Sequence, residues 1–156
     1  ELASRAAALS AELKEKEREI SSLEAEIAAS KTADLMKDAK QIGGVRLITA
    51  DIGEAGADAL RSLCDKALES GDDIIAVFAG KNAEKGTASF ACRVGKKAIE
   101  CGAHAGNIVR EVARVAGGAG GGKPDSAMAG AKDISKIPEA LKKASEIVGA
   151  MLLGKR

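Results

Sequence analysis

The sequence predicts an α/β fold: a small mixed β-sheet packed with helices and preceded by a long N-terminal coiled-coil helix. Two observations predict this architecture. A heptad repeat covers residues 1 to about 30, and short apolar runs then alternate with amphipathic stretches. Paired glycines end helices readily, so we place the end of the helical segment, residues 1–42, at Gly43-Gly44. Residues 43–156 form the predicted globular domain.

The N-terminal segment has a seam of residues at alternating spacings of four and three. The seam positions are Leu2, Ala6, Leu9, Leu13, Lys16, Ile20, Leu23 and Ile27. Lys16 weakens this seam but helps to fix its register. Since nothing else in the segment can cover the seam, it predicts a partner helix. That partner is either a second copy, giving a homodimer, or a helix from an upstream part of a longer chain, which the first residue, Glu1, suggests. The predicted dimer interface is Leu2, Leu9, Leu13, Ile20, Leu23 and Ile27.

The globular part is predicted to contain strands and helices that are bounded by turn residues. We predict strands at 45–50, 74–79, 87–94 and 126–130, and helices at 57–69, at 104–116 and from Pro138 onward. The unbroken apolar run at 74–79 predicts a strand buried on both faces, followed by a turn at 80–86. The strand at 87–94 alternates, which predicts Phe90 inward and Ala91 outward.

Composition excludes several kinds of function. With aromatic residues at 1% and both phenylalanines on predicted core strands, no aromatic platform remains for stacking single-stranded bases. The three cysteines lack C-x-x-C spacing and indicate reduced thiols in a cytoplasmic protein. One histidine and dispersed carboxylates predict no metal site, no cofactor and no catalytic centre in this chain. We also expect no membrane segment and no signal peptide.

The charge is divided unevenly along the chain. From Lys96 onward there are eleven basic and six acidic residues, whereas the preceding residues carry thirteen basic and seventeen acidic ones. The overall charge of +1 therefore combines +5 in the C-terminal part with −4 before it. A basic C-terminal part favours a polyanionic partner.

The stretch at 117–125, Gly-Gly-Ala-Gly-Gly-Gly-Lys-Pro-Asp, is the candidate functional element. Its backbone can approach a partner closely, so its amides should face a phosphate, a sugar edge or an apposed strand. The alternative is a flexible linker. The spacing nearly matches a nucleotide-binding P-loop, but Pro124 stands where that motif needs Ser or Thr for magnesium. Just before it, Arg110 and Arg114 share one exposed helix face.

This stretch, continued to Ala131 and preceded by His-Ala-Gly-Asn-Ile-Val-Arg-Glu-Val-Ala from His104, resembles the C-terminal domain of alanyl-tRNA synthetases. That domain belongs to the DHH-associated domain superfamily, which DHH phosphoesterases share. The resemblance covers roughly residues 42–153, and a coiled coil precedes the domain in the family as well. The family motif is Gly-Gly-Gly-Arg-Pro-Asp-Met-Ala-Gln-Ala-Gly-Gly. Here Lys123 replaces the arginine, which keeps the charge but loses bidentate geometry, and Met128 replaces the glutamine.

The resemblance implies a non-catalytic tRNA-binding and dimerisation module that contacts the outer corner of tRNA and supports aminoacylation and editing. The parent chain would be an alanine–tRNA ligase and the tRNA alanine-specific. The RNA-binding residues would be His104, Arg110, Arg114, Gly120, Gly121, Gly122, Lys123, Asp125 and Lys132. Two alternatives stay open: the substrate-clamping domain of a DHH-family phosphoesterase, and a purely structural dimerisation module.

Overall fold

The computed structural model describes residues 2–153 and confirms the α/β fold with a long N-terminal helix. The helices are α1 Leu2–Lys37, α2 Ala57–Leu68, α3 Lys96–Glu100, α4 Ala105–Val115 and α5 Ile137–Leu153. The strands are β1 Lys40–Ile42, β2 Val45–Glu54, β3 Ile74–Asn82, β4 Thr87–Val94, β5 Ala119–Gly122 and β6 Ser126–Ala131. A 3₁₀ turn, Ile134–Lys136, leads directly into α5.

The six strands form one mixed sheet in the order β1-β2-β3-β4-β6-β5. Only β2 and β3 run parallel, and α2 makes the crossover that parallel neighbours require. The other neighbours are antiparallel, including the hairpin of β3 and β4.

Apolar side chains are buried on both faces of the sheet. The first face, which includes Phe90, is covered by α4 and α5. The second face, which includes Phe78, is covered by α2 and by the C-terminal end of α1. Because α2 packs mainly on β3 and β4, the second face is open at the edge strand β5.

Three sequence predictions are corrected. Ala91 was predicted to point outward, but it is 2% exposed because α2 covers the second face of β4. The N-terminal helix ends at Lys37 rather than at Gly43-Gly44, and these two glycines instead form the turn between β1 and β2, both with positive φ. The predicted turn from residue 80 begins later, because β3 continues to Asn82.

The helix α1 contacts the sheet only near its C-terminal end. Leu35 packs against the second-face core, whereas the predicted dimer-interface residues are exposed. Those residues are Leu2, Leu9, Leu13, Ile20, Leu23 and Ile27, with exposed fractions from 54% at Ile27 to 85% at Leu2. Within residues 2–153, no helix is both long and apolar enough to cross a membrane.

All three cysteines carry free thiols, and two of them are buried. Cys64 lies in α2 against the sheet, and burial raises the pKa of its thiol to about 12. Cys92 in β4 is buried as well, and burial likewise raises the pKa of its thiol. Cys101 follows α3 and is exposed.

Candidate nucleic-acid interface

The glycine-rich stretch contains the edge strand β5, whose only strand neighbour is β6. Of the three partners considered for its backbone, the structure supplies an apposed strand, and the flexible-linker alternative is wrong. Glycine has a low strand propensity, so this strand depends on its fit against β6 and α4 rather than on buried side chains. The stretch is therefore a fixed part of the sheet.

Alternate glycines of this stretch lie too close to β6 to carry a side chain. A Cβ on Gly120 would lie 2.5 Å from the Cα of Ala129, and a Cβ on Gly122 would lie 2.7 Å from the Cα of Ala127. Gly118 is equally constrained by the strand opposite. The need for glycine at these positions is thus steric, and it would exist without any ligand.

The glycine between them, Gly121, faces open space. Apart from atoms of the two adjacent residues, the only atom within 4 Å of a Cβ built there is the Nη2 of Arg110, at 3.7 Å. Gly121 is also paired in register with Met128 on the open second face of the sheet. The absence of a side chain at Gly121 therefore leaves the backbone approachable next to a guanidinium group.

The edge of β5 away from β6, called the free edge here, has no strand neighbour within residues 2–153. The amide of Lys123 donates to Ser126 O at 2.9 Å, and the amide of Gly118 donates away from β6, to Ala113 O at 2.8 Å. Because the direction alternates along an antiparallel strand, the N–H groups of Gly120 and Gly122 point away from β6. At Gly122 this side is occupied by α4, since a Cβ on Gly106 would lie 3.1 Å from Gly122 N. Unpaired amides at a sheet edge can bind anions.

The turn that joins β5 and β6 is anchored at two points. The amide of Val94, at the end of β4, donates to Asp125 O at 2.9 Å, and the amide of Ala105, at the start of α4, donates to Pro124 O at the same distance. These bonds place Lys123 and Asp125 beside the N-terminus of α4, with both side chains exposed. Both are predicted site residues, and the structure brings them together.

His104, one of the predicted site residues, is the N-cap of α4. Its Nδ1 accepts a hydrogen bond from the amide of Asn107 at 3.2 Å. The next turn approaches β5 through Gly106, where a Cβ would lie 2.6 Å from Gly122 O. Gly106 was missed by sequence reasoning, although a glycine inside the first turn of a helix is a signal of close approach.

The other end of α4 is closed by Gly117, which has a φ of +69°. The amide of Gly118 bonds Ala113 O, and the amide of Gly117 bonds Arg114 O at 3.1 Å, the Schellman arrangement that ends a helix. The amide of Asp133 donates to Ala116 O at 3.2 Å. This bond places the exposed Lys132 near the end of α4 that carries Arg114.

The exposed cations around α4 differ in their pairing. The Nη1 of Arg114 lies 2.9 Å from Oε1 of Glu111, so its charge is partly compensated. Within residues 2–153, Arg110, Lys123 and Lys132 form no side-chain hydrogen bond or ion pair. The unpaired cations Arg110 and Lys123 lie beside the free edge of β5, so this edge is the stronger candidate for contact with an anion.

Within the same described range, no group of three or more His, Cys, Asp or Glu side chains is arranged to hold a metal ion. Met128, which stands where the family motif has glutamine, is half-buried and packs against the second-face core. Its side chain therefore contributes to packing. A role in hydrogen bonding is not available to it beyond weak acceptance by sulfur.

The DHHA1 domain family profile matches residues 44–150, which include the sheet from β2 onward and the whole glycine strand. The chain belongs to the DHHA1 domain family. It is 38% identical over 144 residues to the alanine–tRNA ligase of Alkaliphilus oremlandii and 37% identical over the same length to that of Acetivibrio thermocellus. Each match covers 92% of this chain and 16% of the relative, so the chain spans about a sixth of their length.

Among solved structures, the C-Ala domain of Aquifex aeolicus alanyl-tRNA synthetase superposes with a TM-score of 0.65 at 29% identity. The match covers 71% of this chain and 97% of that domain. The resemblance to the C-terminal domain of alanyl-tRNA synthetases is thus confirmed. A DHH domain of a member of the S1p family of ribosomal proteins, at 17% identity and a TM-score of 0.55, shares the fold alone; the match covers 79% of this chain and 30% of that one.

Proposed function

We propose that this chain is a non-catalytic tRNA-binding module of an alanyl-tRNA synthetase, and that the edge of β5 is its RNA contact. The observation that carries the proposal is the position of two unpaired cations, Arg110 and Lys123, beside the three consecutive glycines of β5. Similarity to the C-Ala domain and to alanine–tRNA ligases supports the same role. The parent protein is proposed to be a cytoplasmic alanine–tRNA ligase acting on alanine-specific tRNA.

The contact is proposed to be one of shape and phosphate. With aromatic residues at 1% of the chain, base stacking contributes little, and the outer corner of tRNA is a folded surface rich in phosphates. The amide of Gly120 and the Arg110 guanidinium can hold phosphate oxygens, and Lys123 adds a point charge. The Asp125 carboxylate can only accept hydrogen bonds, so it would accept one from a 2′-hydroxyl or from a base amine.

A matched pair of double variants tests this proposal. Replacing Arg110 and Lys123 by Ala should weaken tRNA binding about tenfold or more and reduce the salt slope by about two, one for each lost phosphate contact. Replacing Lys14 and Lys142, which are exposed on α1 and α5, removes the same charge elsewhere and should change binding little. Filter binding over a range of salt concentrations measures both. Absence of saturable binding by the unaltered chain at low salt would exclude the proposed function.

Helix pairing through α1 is the second part of the proposal. The exposed apolar seam of α1 needs a cover, which either a second copy, giving a homodimer, or another helix would provide. Sedimentation of the chain alone measures whether two copies suffice. A monomer at all accessible concentrations would exclude the homodimer and leave a different helix as the cover.

A further inference from the structure

The row of residues next to the turn between β5 and β6 is polar and basic on the second face of the sheet. Arg93 of β4 is paired in register with Ser126 of β6. The amide of Lys123 donates to Ser126 O, so Lys123 lies opposite Ser126 on its other side. Because alternate residues of a strand share a face, Arg93 lies on the same second face as Ala91. By the same alternation, Lys123 shares the second face with Gly121. Two cations with a serine between them therefore span three neighbouring strands.

The surface beside this row is open. Two strand spacings of about 4.8 Å put the backbones of Arg93 and Lys123 about 10 Å apart. Since α2 makes its sheet contacts mainly with β3 and β4, it leaves the same face of β6 and β5 open. On these two strands that face has the half-buried Met128 and two glycines, Gly121 and Gly130. A polyanionic backbone can therefore approach both cations at once.

Within the described part of the chain, Arg93 forms an ion pair but donates no hydrogen bond. Its Nε lies 3.2 Å from Oδ1 of Asp65 on α2, and the two side chains are 31% and 50% exposed. This nitrogen is shielded from solvent and has no hydrogen-bond partner among the described residues, so its N–H is not aligned with the carboxylate. The two terminal nitrogens donate to no group within residues 2–153 either. A guanidinium has five N–H donors, so Arg93 lacks an acceptor on the protein.

The ion pair with Asp65 can be exchanged for a pair with another anion. Because both side chains are partly exposed, water and salt weaken their attraction. A phosphate can accept two parallel N–H bonds from a guanidinium, which the misaligned carboxylate does not do. The Asp65 carboxylate also repels an approaching phosphate. Asp65 therefore both competes for Arg93 and opposes a polyanion.

We propose that Arg93 is a third cation of the RNA contact, beside Arg110 and Lys123, and that Asp65 weakens this contact by competing with an RNA phosphate for the Arg93 guanidinium. The contact then extends from the edge of β5 across the open second face to the border of α2. Its support is the continuous row from Lys123 to Arg93 and the donors that Arg93 leaves without an acceptor on the protein. This inference rests on the tRNA-binding part of the proposed function.

Filter binding of tRNA over a range of salt concentrations tests the role of Arg93. Arg93→Ala should weaken binding several-fold and reduce the salt slope by about one, because one phosphate contact is lost. Arg93→Lys should keep the slope but bind more weakly than the unaltered chain, since a lysine cannot make the two parallel bonds. Lys142→Ala removes an exposed cation on α5 and should change neither quantity. Urea unfolding checks that each variant is folded. An unchanged slope in folded Arg93→Ala would overturn the proposal, since a structural arginine contributes no phosphate contact.

Asp65→Asn provides the second measurement, which does not require removal of the arginine. We expect this variant to bind tRNA several-fold more tightly, because the competing carboxylate is gone. The gain should disappear when Arg93 is also replaced by Ala, which a double-mutant cycle measures. Asp58→Asn removes the same charge about two turns away on α2 and should have little effect. An equal gain from Asp65→Asn with and without Arg93 would overturn the proposal, since Asp65 would then act only through its charge.

The double variant of Arg110 and Lys123, measured beside these, separates the two proposals. Absence of saturable tRNA binding by the unaltered chain would overturn both. Binding that depends on Arg110 and Lys123 but not on Arg93 would overturn only the extension of the contact across the second face.

Discussion

Two strands of the same sheet, β3 and β5, are held in place by opposite means. Residues 74–80 of β3 are all buried, and the strand lies between β2 and β4 with helices on both faces. None of the four residues of β5 is buried, and the strand is paired along one edge only. Apolar burial therefore stabilises β3, whereas backbone pairing and the absence of Cβ atoms position β5. A strand of the second kind can expose its backbone without losing its place.

The largest expected effect is on β3. Phe78→Ala removes a side chain that is 0% exposed and leaves a cavity under α2. The free energy of unfolding should fall by about 3–5 kcal/mol, the range for a large buried aromatic residue. Urea unfolding followed by circular dichroism measures it. A loss below about 1 kcal/mol would mean that this face of the sheet is not packed as the structure shows.

The second largest loss of stability is expected from a steric clash introduced into β5. Gly120→Ala introduces a Cβ that meets the Cα of Ala129 at 2.5 Å and Met128 O at 2.6 Å, so β5 must move away from β6. We expect a loss of about 1–3 kcal/mol, typical of overpacking. Faster hydrogen exchange should be confined to the hairpin of β5 and β6. As a control, Gly149→Ala in α5 meets nothing within 4 Å and should stabilise the chain by about 0.5–1 kcal/mol.

The same contrast explains which elements were predictable. Apolar runs and alternation identified β3, β4 and α2 because buried side chains leave a periodic pattern in the sequence. No such pattern exists for β5, which has only Ala119 and three glycines, so its pairing with β6 could not be predicted from periodicity. Ala91 was misassigned because a small apolar residue fits either face, and only the position of α2 decides between them.

The candidate site was predictable in its residues but not in its geometry. The motif at Gly120–Gly122 and the charges of Arg110 and Lys123 are visible in the sequence, and family resemblance added the kind of partner. The sequence does not show that Gly120 and Gly122 are constrained by β6 while Gly121 is open. The pairing of Glu111 with Arg114, by contrast, has the i, i+3 spacing at which side chains meet on a helix, whereas Arg110 is adjacent to Glu111 and does not face it.

The ion pair between Arg46 and Asp73, next to the start of β3, should make the stability of the fold depend on pH. Arg46 donates to Asp73 through Nη2 at 3.0 Å and Nε at 3.2 Å, and these hydrogen bonds lower the pKa of the Asp73 carboxyl. Because the pKa is lower in the folded state, the ionised Asp73 stabilises the fold fully at pH values above about 3.9, the usual pKa of Asp. This contribution is lost as the pH falls through the lowered pKa.

Asp73→Asn should therefore lower the stability near about pH 7 and make no difference in strong acid, below the lowered pKa. Urea unfolding of both proteins at the two pH values measures this difference. An equal deficit at both would show that the charge of Asp73 is not involved. Asp125→Asn is the matched control at the other edge, since its carboxylate is exposed and its backbone carbonyl makes the bond to Val94.

The smallest expected effect on stability comes from a substitution that tests whether glycine in β5 is needed for packing against β6 or for contact with RNA. Gly121→Ala places its Cβ in open space, 3.7 Å from Nη2 of Arg110, so the free energy of unfolding should change by less than about 0.5 kcal/mol. The same methyl group lies where RNA would approach the strand, so tRNA affinity should fall several-fold although the fold is intact. Filter binding and urea unfolding on one sample measure both. If Gly121→Ala binds tRNA like the unaltered chain, the glycines of β5 serve only its fit against β6, and the contact with RNA depends on the cations alone.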